Sequence, residues 1–140
     1  MRQQVKRHLI TVDSEGYIDQ VLRHMAQNVE FVNKENGWYE DDRTFFDELF
    51  LLTSEVVEAG EAWRVAGFDD MTYTDTACHI PGTCPHGDLH KPEGVGSELA
   101  DVLIRLLDTA ARHGIDLAAE YRRKMAYNRT RGYRHGGKRL

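Results

Sequence analysis

The apolar positions of the chain fall into four runs with helical spacing. Ile18, Val21, Leu22, Met25, Val29 and Val32 recur at three- and four-residue steps, as a buried helical stripe requires. This predicts a helix from Tyr17 to Lys34, opened by Asp13-Ser14-Glu15 and stopped at Asn36-Gly37. Phe45, Leu49, Leu52, Val56, Ala59 and Trp63 fall in one narrow sector when plotted at about 100° per residue. They predict a second helix from Thr44 to about Val65, the clearest of the four. A third, from Ser97 as its cap to about His113, carries the stripe Leu99, Val102, Leu103, Leu106 and Ala110 and ends near Gly114. A fourth runs from Asp116 to Arg129, with Leu117, Tyr121, Met125 and Asn128 on one side. No internal repeat and no strand pattern is visible. The expectation is an all-α fold of the four-helix-bundle type, because helices with one apolar stripe each must pack on one another.

Between the second and third helices, from Gly67 to Gly96, the composition turns to Gly, Asp, Thr and His and includes all three prolines. This reads as a long loop. At 140 residues the chain has the size of one domain, expected to span 1–140. The apolar fraction of 41% and charged fraction of 29% are those of a globular protein. No apolar run approaches the roughly 20 residues that span a bilayer. The basic start, Met1 to His8, leads into no apolar signal segment, so a cytoplasmic protein without a membrane partner is expected. Cys78 and Cys84 suggest no disulfide framework.

The net charge of −5 conceals a sorting of charge along the chain. From Tyr121 to Leu140 stand eight of the eighteen basic residues and no acid. A solvated basic tail is one reading. The other is that one segment holds metal ions while the other holds a polyanion.

The carboxylates sharpen that second reading. Glu55 and Glu58 are spaced i, i+3 on the second helix and lie side by side at the border of its apolar stripe. Glu98 and Asp101 repeat the arrangement beside the stripe of the third helix. Packing the two stripes together would converge four carboxylates at one edge. Like charges so close resist ionising together unless something positive compensates. A hard divalent cation such as magnesium takes oxygen ligands and pairs with substrate phosphates. Two unrelated polar helix faces are the simpler alternative, since E-x-x-E alone is a weak motif. A dinuclear iron bundle would want Glu-x-x-His on two helices, and no histidine here follows a glutamate by three. Cys78, His79, Cys84, His86 and His90 have the chemistry for zinc, but their spacing fits no standard module.

Taken together, Ser54-Glu55-Val56-Val57-Glu58-Ala59 and Glu98-Leu99-Ala100-Asp101 resemble the E-x-x-E … E-x-x-D signature of MazG-like nucleoside triphosphate pyrophosphohydrolases. Gly37-Trp38, Lys91-Pro92-Glu93-Gly94, Lys124 with Asn128 and Arg131, and the ending Tyr133-Arg134-His135-Gly136-Gly137-Lys138 extend the likeness over most of the chain from Lys34 onward. The resemblance implies a single MazG-like domain that hydrolyses a nucleoside triphosphate to monophosphate and pyrophosphate. Glu55, Glu58, Glu98 and Asp101 would be ligands for Mg2+, with Mn2+ as a substitute. Glu58, or Glu55, would orient or deprotonate the attacking water. Lys124, Asn128, Arg131 and Tyr133 would contact the triphosphate. Lys124 and Asn128 share a helical face by spacing, and Arg131 continues it if the helix persists. Asn33 and Trp38 would meet the base, although a Trp ahead of a helix is equally a core plug. The resemblance also implies a homodimer or homotetramer.

Two departures from the family pattern stand out. Ser54 occupies a place where many relatives carry another acid, and the segment between Glu58 and Glu98 is longer than usual. The weakened motif leaves a second reading, a non-catalytic nucleotide-binding or sensor module. Nucleic-acid binding through the basic C-terminus fits poorly with an acidic chain and few interleaved aromatics.

Overall fold

The computed structural model describes residues 15–68, 73–74 and 91–131. Among these stand four helices, α1 (Glu15–Glu35), α2 (Phe45–Ala66), α3 (Val95–Arg112) and α4 (Leu117–Thr130). Two short strands, β1 (Tyr73–Thr74) and β2 (Pro92–Glu93), complete the described elements. The fold is all-α apart from that ladder, in which Tyr73 pairs with Glu93 and Thr74 with Pro92, antiparallel. Sequence patterning had no means of showing it, since two residues are too few for a period-two signal. No helix among the described residues is long and apolar enough to cross a membrane.

Local chemistry sets the helix ends. At the end of α1 the Gly37 N–H donates to the Lys34 carbonyl and the Trp38 N–H to the Asn33 carbonyl, at 3.0 and 2.9 Å. This crossed pair is a Schellman motif, and it needs the left-handed backbone that Gly37 supplies at φ +77°. Thr44 caps α2 in a capping box. Its hydroxyl accepts from the Asp47 N–H, while the Asp47 carboxylate accepts from the Thr44 N–H at 2.8 Å. Asp116 caps α4 by accepting from the Ala119 N–H at 3.1 Å. Ser97, the expected cap of α3, is not one. The helix starts two residues earlier, at Val95 after Gly94, which has φ +98°. The Ser97 hydroxyl instead donates to the Pro92 carbonyl at 3.0 Å, tying β2 to the head of α3. The fourth helix ends at Thr130, and Arg131 is extended, so the helical face of Lys124 and Asn128 does not continue through it.

The chain forms two compact units, one of residues 1–25 and 116–140, the other Ala26–Ile115. Within the first, Arg23 pairs with Asp116 at 3.1 Å and Arg122 with Asp19 at 3.2 Å. A cavity of about 310 Å³ there is lined by Tyr17, Ile18, Val21, Leu22 and Tyr121.

Within the second unit α2 and α3 pack along their length. The expected seam of two apolar stripes is not what they bury. Phe45, Leu49, Val56 and Trp63 of α2, and Leu99, Leu103 and Leu106 of α3, are exposed. The buried positions are Glu48, Glu55 and Ala59 on one helix and Val95, Glu98, Leu107, Asp108, Thr109 and Ala110 on the other. Glu48 and Glu55 are each compensated by an arginine across the seam, which is what makes their burial tolerable. Arg112 Nε lies 3.2 Å from Glu48 Oε1, and Arg105 Nε lies 3.0 Å from Glu55 Oε1. Numbers rise on one helix as they fall on the other, in steps of seven, so the helices run antiparallel with a heptad ion-pair register. By that register Ala62 falls opposite Glu98, and no arginine does.

Candidate functional site

The site grows from the place where this register loses its arginine. Glu55, Glu58 and Glu98 each offer an oxygen within 4.8 Å of the others. Glu55 and Glu98 are buried and Glu58 is exposed at the rim. Asp101, one turn along α3 from Glu98, lines the same cavity but stands outside the tight trio. The cavity, about 400 Å³, is also lined by Asn33, Trp38, Lys91 and Arg105.

Why these residues meet follows from the local structure. The Schellman turn after α1 places Trp38 beside Asn33, on whose carbonyl its own N–H is fixed. The Trp38 carbonyl in turn accepts from Arg43 Nη2 and from Arg112 Nη2, the latter at 3.0 Å. The indole is thus presented by a backbone held on both sides. Asn33 is only 5% exposed and lines the cavity. Lys91 enters from the residue before β2 and pairs with Glu93 at 2.8 Å.

Electrostatics distinguish the carboxylates. Burial raises the pKa of Glu98, and the charges of Glu58 and Asp101 raise it further against a smaller opposing pull from Lys91. Burial and the charge of Glu55 raise that of Asp101, with Arg105 pulling the other way. The Glu93 hydrogen bond raises Lys91. The local carboxylates outnumber the two cations, and an all-oxygen set of this kind fits a hard divalent ion rather than a soft one.

A second buried cluster lies further along the same seam. Glu48 and Asp108 are fully buried. Arg112 stands between them, 3.2 Å from Glu48 and 3.9 Å from Asp108, and Arg43 lies 3.8 Å from Glu48. Tyr39 donates its hydroxyl to Asp108 Oδ1 at 2.9 Å, and its ring lies 3.9 Å below the Arg112 guanidinium. Burial, followed by that hydrogen bond, pushes the Tyr39 phenol well up. Among the described residues neither oxygen of Glu48 is in line for a hydrogen bond, so its compensation is Coulombic.

Of the other residues singled out in the sequence, Lys124 and Asn128 are exposed on α4 and Arg131 follows its end, all in the first unit. The Arg131 guanidinium lies 5.5 Å from the Tyr127 ring centroid. Ser54 spends its hydroxyl on the Leu51 carbonyl of its own helix, at 2.7 Å. Tyr133 and the cluster Cys78, His79, Cys84, His86 and His90 lie outside the described residues. Arg105 was not expected at the site at all. Its signal was its place seven residues before Arg112, matching Glu48 and Glu55 on the facing helix.

No protein-family model, curated protein or solved structure matches the chain.

Proposed function

We propose that the chain is a divalent-metal-dependent nucleoside triphosphate pyrophosphohydrolase of the MazG-like kind, releasing a monophosphate and pyrophosphate. The observation that carries this reading is the meeting of the Glu55, Glu58 and Glu98 oxygens in the cavity that Trp38 and Asn33 also line. Glu55, Glu58 and Glu98 would hold Mg2+, or Mn2+ in its place, with Asp101 as the adjoining carboxylate. A divalent ion there supplies charge neutralisation for phosphate oxygens and acidity for a water molecule.

The chain's own groups do the rest. Glu58, the exposed member of the trio, accepts the proton of the attacking water. The water oxygen bonds to the α-phosphorus, the bond from that phosphorus to the bridging oxygen breaks, and pyrophosphate leaves with the electron pair. Lys91 lines the same cavity and adds positive charge for the leaving group. The Trp38 face offers a shelf for a base, and Asn33 offers one donor and one acceptor for its edge. For Lys124, Asn128, Arg131 and Tyr133 the role of triphosphate contacts rests on the resemblance and on spacing. Phe46 and Phe50, 81% and 76% exposed one turn apart on α2, support assembly with further copies as a homodimer or homotetramer.

A turnover panel of ribo- and deoxyribonucleoside triphosphates with Mg2+, with products separated by ion exchange, tests the proposal. Monophosphate and pyrophosphate from the parent, lost in Glu58→Gln, is the expected result. Diphosphate and phosphate would mean another bond is cut. Tight Mg2+-dependent binding without turnover would move the assignment to a nucleotide sensor.

A further inference from the structure

We propose that Arg105 is a positioning residue linking the carboxylate trio to the Trp38 wall, a latch on Glu55 that a divalent cation must displace. The inference rests on the metal reading above and deepens it. It stands on two contacts of one guanidinium. Arg105 Nε is 3.0 Å from Glu55 Oε1, and its central carbon lies 5.0 Å from the centroid of the Trp38 ring. A guanidinium suits both tasks, being planar, permanently charged and able to stack while it donates.

Side-chain exposures of 18% and 12% keep the Arg105–Glu55 pair largely out of water, so solvent screens it little. Its counterpart one heptad away is more heavily anchored. Arg112 has Glu48, Asp108 and the Trp38 carbonyl as partners, whereas among the described residues Arg105 has Glu55 alone as acceptor. Arg112 is therefore fixed, and Arg105 has one bond to release. A cation bound by Glu55, Glu58 and Glu98 competes with Arg105 for the same carboxylate. Displacement then alters what lies against Trp38 and frees guanidinium donors for an anion in the cavity. Metal occupancy and the state of the aromatic wall are coupled through this side chain.

The test uses the full chain and Mg2+ alone. Calorimetry gives the affinity, and tryptophan emission is read in a Trp63→Phe background, where Trp38 is the remaining tryptophan. Removing a competing charge in Arg105→Met should tighten Mg2+ binding roughly tenfold. The Trp38 emission change on Mg2+ addition should disappear with it. Structural damage would weaken binding, so a gain in affinity separates the two. Arg105→Lys keeps the charge without the planar stack. Its Mg2+ affinity should stay near the parent's while the Trp38 response is lost. If Arg105→Met does not fold, the lysine variant decides, and a Trp38 response as large as the parent's overturns the latch. Unchanged or weaker Mg2+ binding in a folded Arg105→Met also overturns it and leaves the metal site standing. Absence of Mg2+ binding in the parent and every variant would remove both.

Discussion

The seam between α2 and α3 carries the same ion pair twice, one heptad apart, with opposite consequences. At Glu48 and Arg112 the surroundings supply Asp108, Arg43 and Tyr39, and two carboxylates meet two guanidinium groups. At Glu55 and Arg105 the surroundings supply Glu58, Glu98 and Asp101, with Lys91 as the second cation. The first end is neutral, stacked and closed. The second is overcharged and opens onto a cavity of about 400 Å³. A buried ion pair is thus only a way of joining two helices. Whether it becomes a site depends on the charge left over, and the closed end serves the open one by holding the Trp38 backbone in place.

The largest expected effect breaks the open end chemically. Glu58→Gln should lower turnover by about 100-fold or more if this group accepts the water's proton. Secondary structure, checked by circular dichroism, should stay intact because Glu58 is exposed. Next comes the closed end. Arg112→Met leaves Glu48 and Asp108 buried without their shared cation, and should cost about 3–5 kcal/mol of stability in a denaturant melt. Trp38→Ala should weaken nucleotide binding by about 1–3 kcal/mol if a base stacks there. It should leave Mg2+-only affinity much less affected, which calorimetry with each ligand would read.

The smallest effect concerns charge itself. Burial and its acidic neighbours raise the pKa of Glu98, so the folded chain holds that proton more tightly than the unfolded one. The stability this contributes is fully present below the ordinary glutamate value of 4.5 and is lost as pH rises through the raised one. In chelator-treated buffer Glu98→Gln should therefore melt a few degrees higher than the parent at neutral pH. The advantage should vanish in acid. No advantage at neutral pH would mean the open end is less overcharged than its geometry indicates.

The helices themselves were readable in the chain. Stripe and stop signals placed α1, α2 and α4 within two residues, and the structure shows that Thr44 and Asp116, where the second and fourth stripes begin, act as local caps. Ser97 misled because a serine before an apolar run looks like a cap, whereas Gly94 opens the helix through its backbone. The seam was not readable. Hydrophobic stripes on two helices suggest an apolar contact, and Glu48, Asp108 and Arg112 suggest solvated faces; only their heptad spacing across both helices hinted at pairing. Of the site, the pairs Glu55/Glu58 and Glu98/Asp101 were marked by i, i+3 spacing, and Asn33 and Trp38 only by the family resemblance. Arg105 and the linking role of the Trp38 carbonyl depend on tertiary register, which no local pattern encodes.

Hydrolysis in water enriched in heavy oxygen, with Mg2+ and the best substrate of the panel, tests the central claim most directly. Attack at the α-phosphorus puts the label in the nucleoside monophosphate, and mass spectrometry should find it there with unlabelled pyrophosphate beside it. Label in pyrophosphate or in free phosphate, or no turnover of any nucleotide, would contradict the account.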